Sequence, residues 1–221
     1  MARLDLGVLV SGSGTNLQAI LDAIQRGDLD ADVRMVLSNR DDAYALERAQ
    51  KAGVRTQVLS HRGFADRTTF DLALVETLRS AGATTIALAG FMRVLTPTFL
   101  EAFAGRVINI HPALLPSFPG THAQGQALRY GVKIAGCTVH FVDAGTDTGP
   151  IIAQAAVPVH EDDTEESLQA RILKCEHELF VSALRWMSED RVKLVIPEGG
   201  GRATVSIRGA QAGLLRAGRE L

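Results

Sequence analysis

The chain has 221 residues, of which 46% are hydrophobic and 22% charged, and its formal net charge is -2. This composition is typical of a globular protein, and the near-neutral charge without a long basic block argues against nucleic acid or a membrane surface as the main partner. No apolar run approaches the roughly 20 residues of a spanning helix, and no signal-peptide pattern is present, so the sequence predicts a cytoplasmic protein. Cys137 and Cys175 lack the spacing of a zinc site, which favours two reduced thiols and no metal.

A glycine turn follows the first predicted strand. The strand is expected at residues 6–10 and the turn at residues 11–15. A helix beginning near residue 15 is predicted by apolar residues at helical spacing, namely Leu17, Ile20, Leu21 and Ile24. The start of such a helix can bind an anion. Because the third glycine of a dinucleotide fingerprint and the Walker lysine are both missing, we interpret the turn as a monophosphate cradle, with a plain strand-to-helix turn as the alternative.

Strands and helices then alternate along the chain. Strands are predicted at residues 33–37, 54–59 and 84–89, and helices at residues 43–52, 66–81 and from Thr96 onward. This alternation predicts a mostly parallel α/β sheet with helices on both faces. The loop at residues 90–95 carries aromatic and aliphatic side chains, which either line an apolar slot or fold over the core.

The stretch from residue 106 to residue 121 combines a buried strand with a rigid loop. Asn109 and His111 are two residues apart, so they project from one face at the carboxyl end of the strand, where open α/β sheets bind ligands. Pro112, Pro116 and Pro119 stiffen the loop that follows. We interpret the polar pair as a candidate site, and the alternative is a buried strand with a satisfied polar pair.

The pattern changes after residue 121. The predicted elements are a short helix at 124–130, two paired strands at 134–142 and 151–159, a loop at 143–150, and a long helix at 164–187. His140 is interpreted as a hydrogen-bonded core residue. Glu176 is a lone carboxylate on a helix, and on that basis it is interpreted as solvated. Residues 192–196 and 204–207 predict a small peripheral hairpin, and residues 208–221 a weakly determined tail.

These residues suit one kind of chemistry. Asn109 can donate a hydrogen bond to an oxyanion, His111 can shuttle a proton, and a carboxylate from residues 143–150 can fix the histidine tautomer. No nucleophile is indicated, because the serines lack a nucleophile elbow, the cysteines lack activating neighbours, and no metal-ligand spacing occurs. The set favours acyl transfer to a nucleophile that the substrate itself supplies.

The motif from Asn109 to Pro116, NIHPALLP, with FPG at residues 118–120 and DTGP at residues 147–150, resembles that of the folate-dependent formyltransferases. SGSGTNLQAI, AGFMRVL and CEHELF extend the resemblance over about residues 6–195. The resemblance implies a Rossmann-like fold and transfer of a formyl group from the cosubstrate 10-formyltetrahydrofolate to the amine of glycinamide ribonucleotide in purine synthesis. Phe118 stands where tyrosine is common, and residues 121–125 differ from the usual basic stretch, but neither departure removes a catalytic group.

The resemblance also implies roles for individual residues. Asn109 matches the amide that holds the formyl oxygen, His111 the general acid or proton shuttle, and Asp147 the carboxylate that pairs with this histidine. Substrate binding is implied for Gly14, Thr15 and Asn16 at the phosphate and for Glu176 at the ribose hydroxyls. Folate binding is implied for Arg67, Met92, Arg93, Val94, Leu95, Asn109, Asp143 and Asp147. Thr138 occupies a position that can support the active-site network.

The sequence predicts one formyltransferase domain at residues 1–190, with a phosphate-binding half at 1–105, a folate-binding and catalytic half at 106–190, and a peripheral hairpin and tail at 191–221. The expected partners are the two small molecules, without nucleic acid or membrane, and a homodimer is compatible with the sequence. Alternatives are another folate-dependent formyltransferase or a formyltetrahydrofolate hydrolase, each expected to carry a further domain. Outside this class stand a nucleotide-binding dehydrogenase and a non-catalytic binding module.

Overall fold

The structure is a computed structural model that describes residues 3–209, 214–216 and 219–220. The chain divides into two compact units, Met1–Asn109 and Ile110–Leu221. In the part of the chain that the structure describes, no helix is long and apolar enough to cross a bilayer. The domain boundaries expected from the sequence stay a prediction.

The first unit alternates strands and helices as predicted. Its strands are β1 (Leu4–Val10), β2 (Ala31–Ser38), β3 (Thr56–Val58), β4 (Thr85–Leu88) and β5 (Val107–His111), the last of which ends two residues into the second unit. Its helices are α1 (Thr15–Arg26), α2 (Tyr44–Lys51), α3 (Arg67–Ser80) and α4 (Pro97–Ala102), with a short 3-10 helix at His61–Gly63 that was not predicted. The strands pair in parallel in the order β5-β4-β1-β2-β3.

The order of these strands creates a switch point beside β1. The chain passes from β1 to β2 on one side, whereas β4 pairs on the other side of β1. Two segments therefore leave the carboxyl ends of neighbouring strands: the glycine loop (residues 11–14) after β1 and the β4–α4 loop (residues 89–96) after β4. Open α/β sheets bind their ligands at such a point.

The second unit contains α5 (Ala123–Tyr130), β6 (Ile134–Phe141), β7 (Ile151–Pro158), α6 (Glu165–Ser188), β8 (Val192–Val195), β9 (Thr204–Ile207), β10 (Leu214–Arg216) and β11 (Arg219–Glu220). The antiparallel pairing of β6 with β7 and the β8–β9 hairpin are both confirmed. Helix α6 begins at a capping box between Thr164 and Ser167. Its buried apolar residues include Leu168, Ile172, Leu179, Ala183 and Trp186, which are the apolar stripe expected of a core-facing helix.

The fold class predicted from the sequence, a Rossmann-like and mostly parallel α/β sheet with a small C-terminal hairpin, is confirmed. Strand β6 is buried at every residue except Ile134. One detail differs from the prediction. The predicted tail contains β10, which pairs in parallel with β7, and β11, which pairs antiparallel with β10. Pairing with a strand about 60 residues earlier leaves no local pattern in the sequence.

Candidate active site

The conformation of the glycine loop depends on Gly14. This residue has φ 71° and ψ 29°, in the left-handed region, and a Cβ atom there would lie 2.6 Å from the Cα of Ala45. The amide of Ala45 donates to the Gly12 carbonyl (3.0 Å), and Arg48 Nε donates to the Ser13 carbonyl (2.8 Å). Helix α1 thus starts from a braced turn that supplies no capping side chain, an arrangement suited to an anion.

Gly14→Ala is expected to lower the free energy of unfolding by about 2 kcal/mol or more, because it adds left-handed strain and a steric overlap with Ala45. Urea denaturation measures this loss. Gly12→Ala is the matched control, since a Cβ atom there meets nothing within 4 Å and the backbone is not left-handed. Equal destabilisation by the two substitutions would contradict the prediction.

The apolar side chains of the β4–α4 loop point in two directions. Phe91 and Leu95 are buried, whereas Met92 is 66% and Val94 53% exposed. The sequence left open whether this loop lines a slot or covers the core, and its residues divide between the two. Met92 and Val94 are therefore the members of the predicted folate set that present apolar surface, with Arg93 half-buried between them.

Hydrogen bonds fix the β4–α4 loop at its beginning, middle and end. Ser11 Oγ accepts from the Met92 amide at 2.8 Å. Arg67 donates to the Val94 carbonyl at 2.8 Å, so this predicted folate residue lies against the predicted folate loop. The Asp71 carboxylate, only 2% exposed, accepts from the Thr96 amide at 2.6 Å and thereby caps α4 from α3. Thr96 is the N-cap residue of α4, but its hydroxyl does not make the cap.

Strand β5 places Asn109 and His111 on one face, as the spacing predicted. Asn109 is half-buried opposite Leu88 of β4, and His111 is buried. The neighbouring Ile108 and Ile110 are also buried, which fixes the register of the strand. An amide donor and an imidazole therefore share one face of a rigid strand.

The predicted pair of His111 and Asp147 is present in the second unit. His111 Nδ1 lies 3.4 Å from Asp147 Oδ2, and the same oxygen accepts from the Gly120 amide at 2.8 Å. Asp147 is held in a left-handed conformation, φ 54°, which is uncommon outside glycine and is often found at functional sites. No feature of the local sequence predicts this conformation.

The other nitrogen of His111 also faces an acceptor. Nε2 lies 2.9 Å from the carbonyl of Phe118, a residue with φ 54°. A carbonyl can only accept, so Nε2 carries a proton in this arrangement, while Nδ1 faces the carboxylate. The geometry accommodates an imidazole that donates from both nitrogens. The substitution of phenylalanine for tyrosine at residue 118 leaves this contact intact, because the contact is made by the backbone.

A second histidine adjoins the same carboxylate. His140 Nε2 lies 3.7 Å from Asp147 Oδ1, and His140 Nδ1 lies 2.9 Å from the Phe141 carbonyl. Burial lowers the pKa of His140, outweighing the opposite effects of the Phe141 carbonyl and Asp147. The interpretation of His140 as a hydrogen-bonded core residue is confirmed, but its place beside Asp147 was missed. The sequence feature that could have indicated this place is the spacing of His140, two residues from Thr138 on the same strand.

The lowered pKa of His140 predicts the direction in which the stability of the protein changes with pH. The pKa of this histidine is near 6.5 in the unfolded chain and lower in the folded protein. The contribution of neutral His140 to the free energy of unfolding is therefore fully present above pH 6.5 and is lost as the pH falls through the folded pKa. In this range His140 contributes a slope approaching about 1.4 kcal/mol per pH unit. His140→Gln should flatten the acid side of a urea-derived stability profile between pH 7 and 5. His160→Gln, at an exposed position, should leave the slope unchanged. An unchanged slope in His140→Gln together with a flattened slope in His160→Gln would refute the lowered pKa of His140.

Thr138 and Gln154 hold the proline loop that follows β5. The Thr138 hydroxyl donates to the Ala113 carbonyl (2.6 Å) and accepts from the Leu115 amide (3.0 Å). Gln154 donates to the Leu115 carbonyl (2.9 Å) and to the Thr138 hydroxyl (3.0 Å). These contacts are consistent with the supporting position expected of Thr138, and Gln154 joins it although the sequence did not indicate it.

The loop from residue 143 to residue 150 is organised by its own first carboxylate. Asp143 Oδ1 accepts from the Gly145 amide (3.1 Å) and from the Thr148 hydroxyl (2.6 Å). Such bonds between a side chain and a nearby loop position define a turn without regular structure. Asp143 thus shapes the loop that carries Asp147, and its contact with folate stays a prediction.

Glu176 is not solvated, contrary to the expectation for a lone carboxylate on a helix. It is 7% exposed in the middle of α6, a helix whose buried residues extend over more than one side. Burial, followed by the charge of Glu176, raises the pKa of the Cys137 thiol. Burial likewise raises the pKa of Cys175. Both thiols are therefore weaker acids than a free cysteine.

The structure brings together several of the predicted residues: His111 with Asp147, Asn109 with His111 on one strand face, Arg67 with Val94, and Gly14, Thr15 and Asn16 at the start of α1. Among the described residues, no group of three or more His, Cys, Asp or Glu side chains is arranged to hold a metal ion. An amide donor can stabilise an oxyanion, and a carboxylate-linked imidazole can move a proton.

Comparison with known proteins identifies relatives over most of the chain. The formyl transferase family model matches residues 5–184. Phosphoribosylglycinamide formyltransferase of Escherichia coli is 42% identical over 191 residues, covering 86% of this chain and 90% of that protein. The trifunctional purine biosynthetic protein adenosine-3 of Drosophila melanogaster is 49% identical over 89% of this chain. The match spans only 15% of the length of that larger protein.

A solved structure agrees with these relatives. Glycinamide ribonucleotide transformylase 1 from Symbiobacterium toebii superposes with a TM-score of 0.87 at 51% identity, covering 92% of this chain and 93% of that one. The resemblance found in the sequence is thus confirmed over the residues that carry the site. The chain belongs to the formyl transferase family.

Proposed function

We propose that the chain transfers the formyl group of 10-formyltetrahydrofolate to the amine of glycinamide ribonucleotide, giving formylglycinamide ribonucleotide and tetrahydrofolate in purine synthesis. The contact of His111 with Asp147 at the end of the strand that carries Asn109 is the observation that carries this proposal. The identity of 42% with the E. coli phosphoribosylglycinamide formyltransferase, over nine-tenths of that protein, supports the choice of acceptor.

In this reaction the substrate amine attacks the formyl carbon, and a tetrahedral oxyanion forms. Asn109 donates to this oxygen from its amide, and His111 donates a proton or a hydrogen bond to it once Nε2 has turned its proton from the Phe118 carbonyl to the substrate. Asp147, fixed by the Gly120 amide, holds the imidazole and compensates its positive charge. The amine loses one proton and N10 of the folate gains one, through His111 or water, as the C–N bond to the folate breaks.

The two ligands use different sets of residues. The phosphate binds at the start of α1 through Gly14, Thr15 and Asn16, and Glu176 accepts hydrogen bonds from the ribose hydroxyls. The folate contacts Arg67, the exposed side chains of Met92 and Val94, the backbone of Arg93 and Leu95, and Asp143. Residues 1–190 act as one formyltransferase domain in the cytoplasm, and the partners are these two small molecules.

Formyl transfer can be tested directly with purified protein. We expect the change in folate absorbance on conversion of 10-formyltetrahydrofolate to tetrahydrofolate to require glycinamide ribonucleotide. Formate release without the ribonucleotide would instead indicate a hydrolase, and transfer to initiator methionyl-tRNA another formyltransferase. Absence of any folate turnover, with the protein folded, would refute the proposal and favour a binding module.

A further inference from the structure

Ser11 is a buried residue whose hydroxyl makes two hydrogen bonds of opposite sense. It accepts from the Met92 amide at 2.8 Å and donates to Asn39 Oδ1 at 2.6 Å, and its exposed fraction is 5%. An amide oxygen can only accept, so the hydroxyl proton points to Asn39 and a lone pair points to Met92. One hydroxyl therefore joins the segments that follow β1, β2 and β4.

The glycine loop next to Ser11 is braced from its other side by α2. The carbonyls of Gly12 and Ser13 are bound by the Ala45 amide and by Arg48 Nε. The loop has only four residues between β1 and α1, so it has little freedom to deform between these anchors. An anion that orients the amides at the start of α1 therefore acts on a short, stiff segment that ends at Ser11.

Three side chains bind the backbone of the β4–α4 loop, and two of them come from α3 and one from the glycine loop. Arg67 and Asp71 both lie in α3, and they bind the Val94 carbonyl and the Thr96 amide. Ser11 belongs to the glycine loop and binds the Met92 amide. Loss of the Asp71 anchor would loosen the loop without touching the glycine loop, whereas loss of the Ser11 anchor would separate the two loops.

We propose that Ser11 is a positioning residue that couples the two binding loops, so that ribonucleotide phosphate at the glycine loop fixes Met92 for the folate, and folate in turn fixes the glycine loop. This inference rests on the proposed function. Because the coupling is between two equilibria, each ligand tightens the binding of the other by the same factor.

The test measures the Kd of the unreactive product tetrahydrofolate by calorimetry, alone and with saturating glycinamide ribonucleotide. In the unaltered protein we expect the ribonucleotide to tighten tetrahydrofolate binding by about fivefold or more. Ser11→Ala should still bind both ligands, with the ratio of the two Kd values reduced to about one. Ser11→Thr retains a hydroxyl and should restore the ratio.

Asp71→Asn is the matched control, because a neutral amide oxygen accepts from the Thr96 amide more weakly than the carboxylate does, so the β4–α4 loop is loosened from α3 without a change at the glycine loop. It should weaken tetrahydrofolate alone and with the ribonucleotide by the same factor, leaving the ratio as in the unaltered protein. An equal loss of the ratio in Asp71→Asn and Ser11→Ala would overturn the inference, because any loosening of the loop would then suffice. A ratio of one in the unaltered protein, or an unchanged ratio in Ser11→Ala, would also overturn it.

Thermal unfolding establishes that each variant is folded before its Kd is measured. If Ser11→Ala does not fold, Ser11→Cys keeps a side chain of similar shape but offers the Met92 amide only a weak acceptor, so it should likewise lower the ratio, and an unchanged ratio would contradict the coupling. Failure of the proposed function is distinguishable, since the unaltered protein would then show no formyl transfer and no ribonucleotide binding.

Discussion

Asn109→Ala and His111→Ala are each expected to lower kcat for formyl transfer by about 100-fold or more, as removal of an oxyanion donor does in other acyl transfers. Asn109 is half-buried and His111 buried on one face of β5, between aliphatic residues that keep the strand in place. Because His111 is buried and contacts Asp147, His111→Ala should also lower the unfolding temperature, so the assays are run well below the unfolding transition of each variant. Steady-state kinetics with both substrates saturating measures kcat.

His160→Ala serves as the control for removal of an imidazole, because His160 is exposed in a loop of the second unit. We expect its kcat to match that of the unaltered protein. Turnover close to that of the unaltered protein in both Asn109→Ala and His111→Ala would rule out the assigned roles.

Asp147→Asn is expected to lower kcat/KM by about 100-fold or more, since the substitution removes the charge that compensates a protonated imidazole. The remaining amide oxygen can still accept from the Gly120 amide, so the loop geometry should persist. The comparison variant is Asp143→Asn, which changes a carboxylate of the same loop that contacts Gly145 and Thr148.

We expect Asp143→Asn to act on the KM for the folate while kcat stays within about threefold, because the contacts of Asp143 are to Gly145 and Thr148 of its own loop, and an asparagine oxygen can still accept them. A fall in kcat of similar size in both variants would show that the charge of the loop as a whole matters. In that case the specific role of Asp147 would be wrong.

Much of the fold follows from local patterns. The apolar runs of β1 and β4 and the i, i+3, i+4 spacing of α1 and α6 predict these elements, because burial of one helix face or both sheet faces requires that order of residues. Caps and glycines mark the ends, as Thr164 does for α6. The failures are long-range: β10 pairs with β7, and Glu176 is buried by packing that its own helix sequence does not reveal.

The candidate site shows the same division. Spacing places Asn109 and His111 on one strand face, and the motif resemblance links them to Asp147. The sequence does not indicate that His140 adjoins the same carboxylate, nor that Ser11 binds the Met92 amide 81 residues away. These contacts depend on which strands lie side by side, and strand order is not encoded in any short window of residues.

By itself the sequence determined the alternation of strands and helices, the family and the identity of the chemical groups, because hydrophobic periodicity and short motifs are local properties. Only the tertiary structure decided the left-handed conformation of Asp147, its two histidine neighbours and the hydroxyl bridge from Ser11. Each of these depends on a residue held in place by partners that are distant along the chain. The orientation of these side chains is fixed only when distant parts of the chain pack together, whereas their chemical identity is given by the sequence.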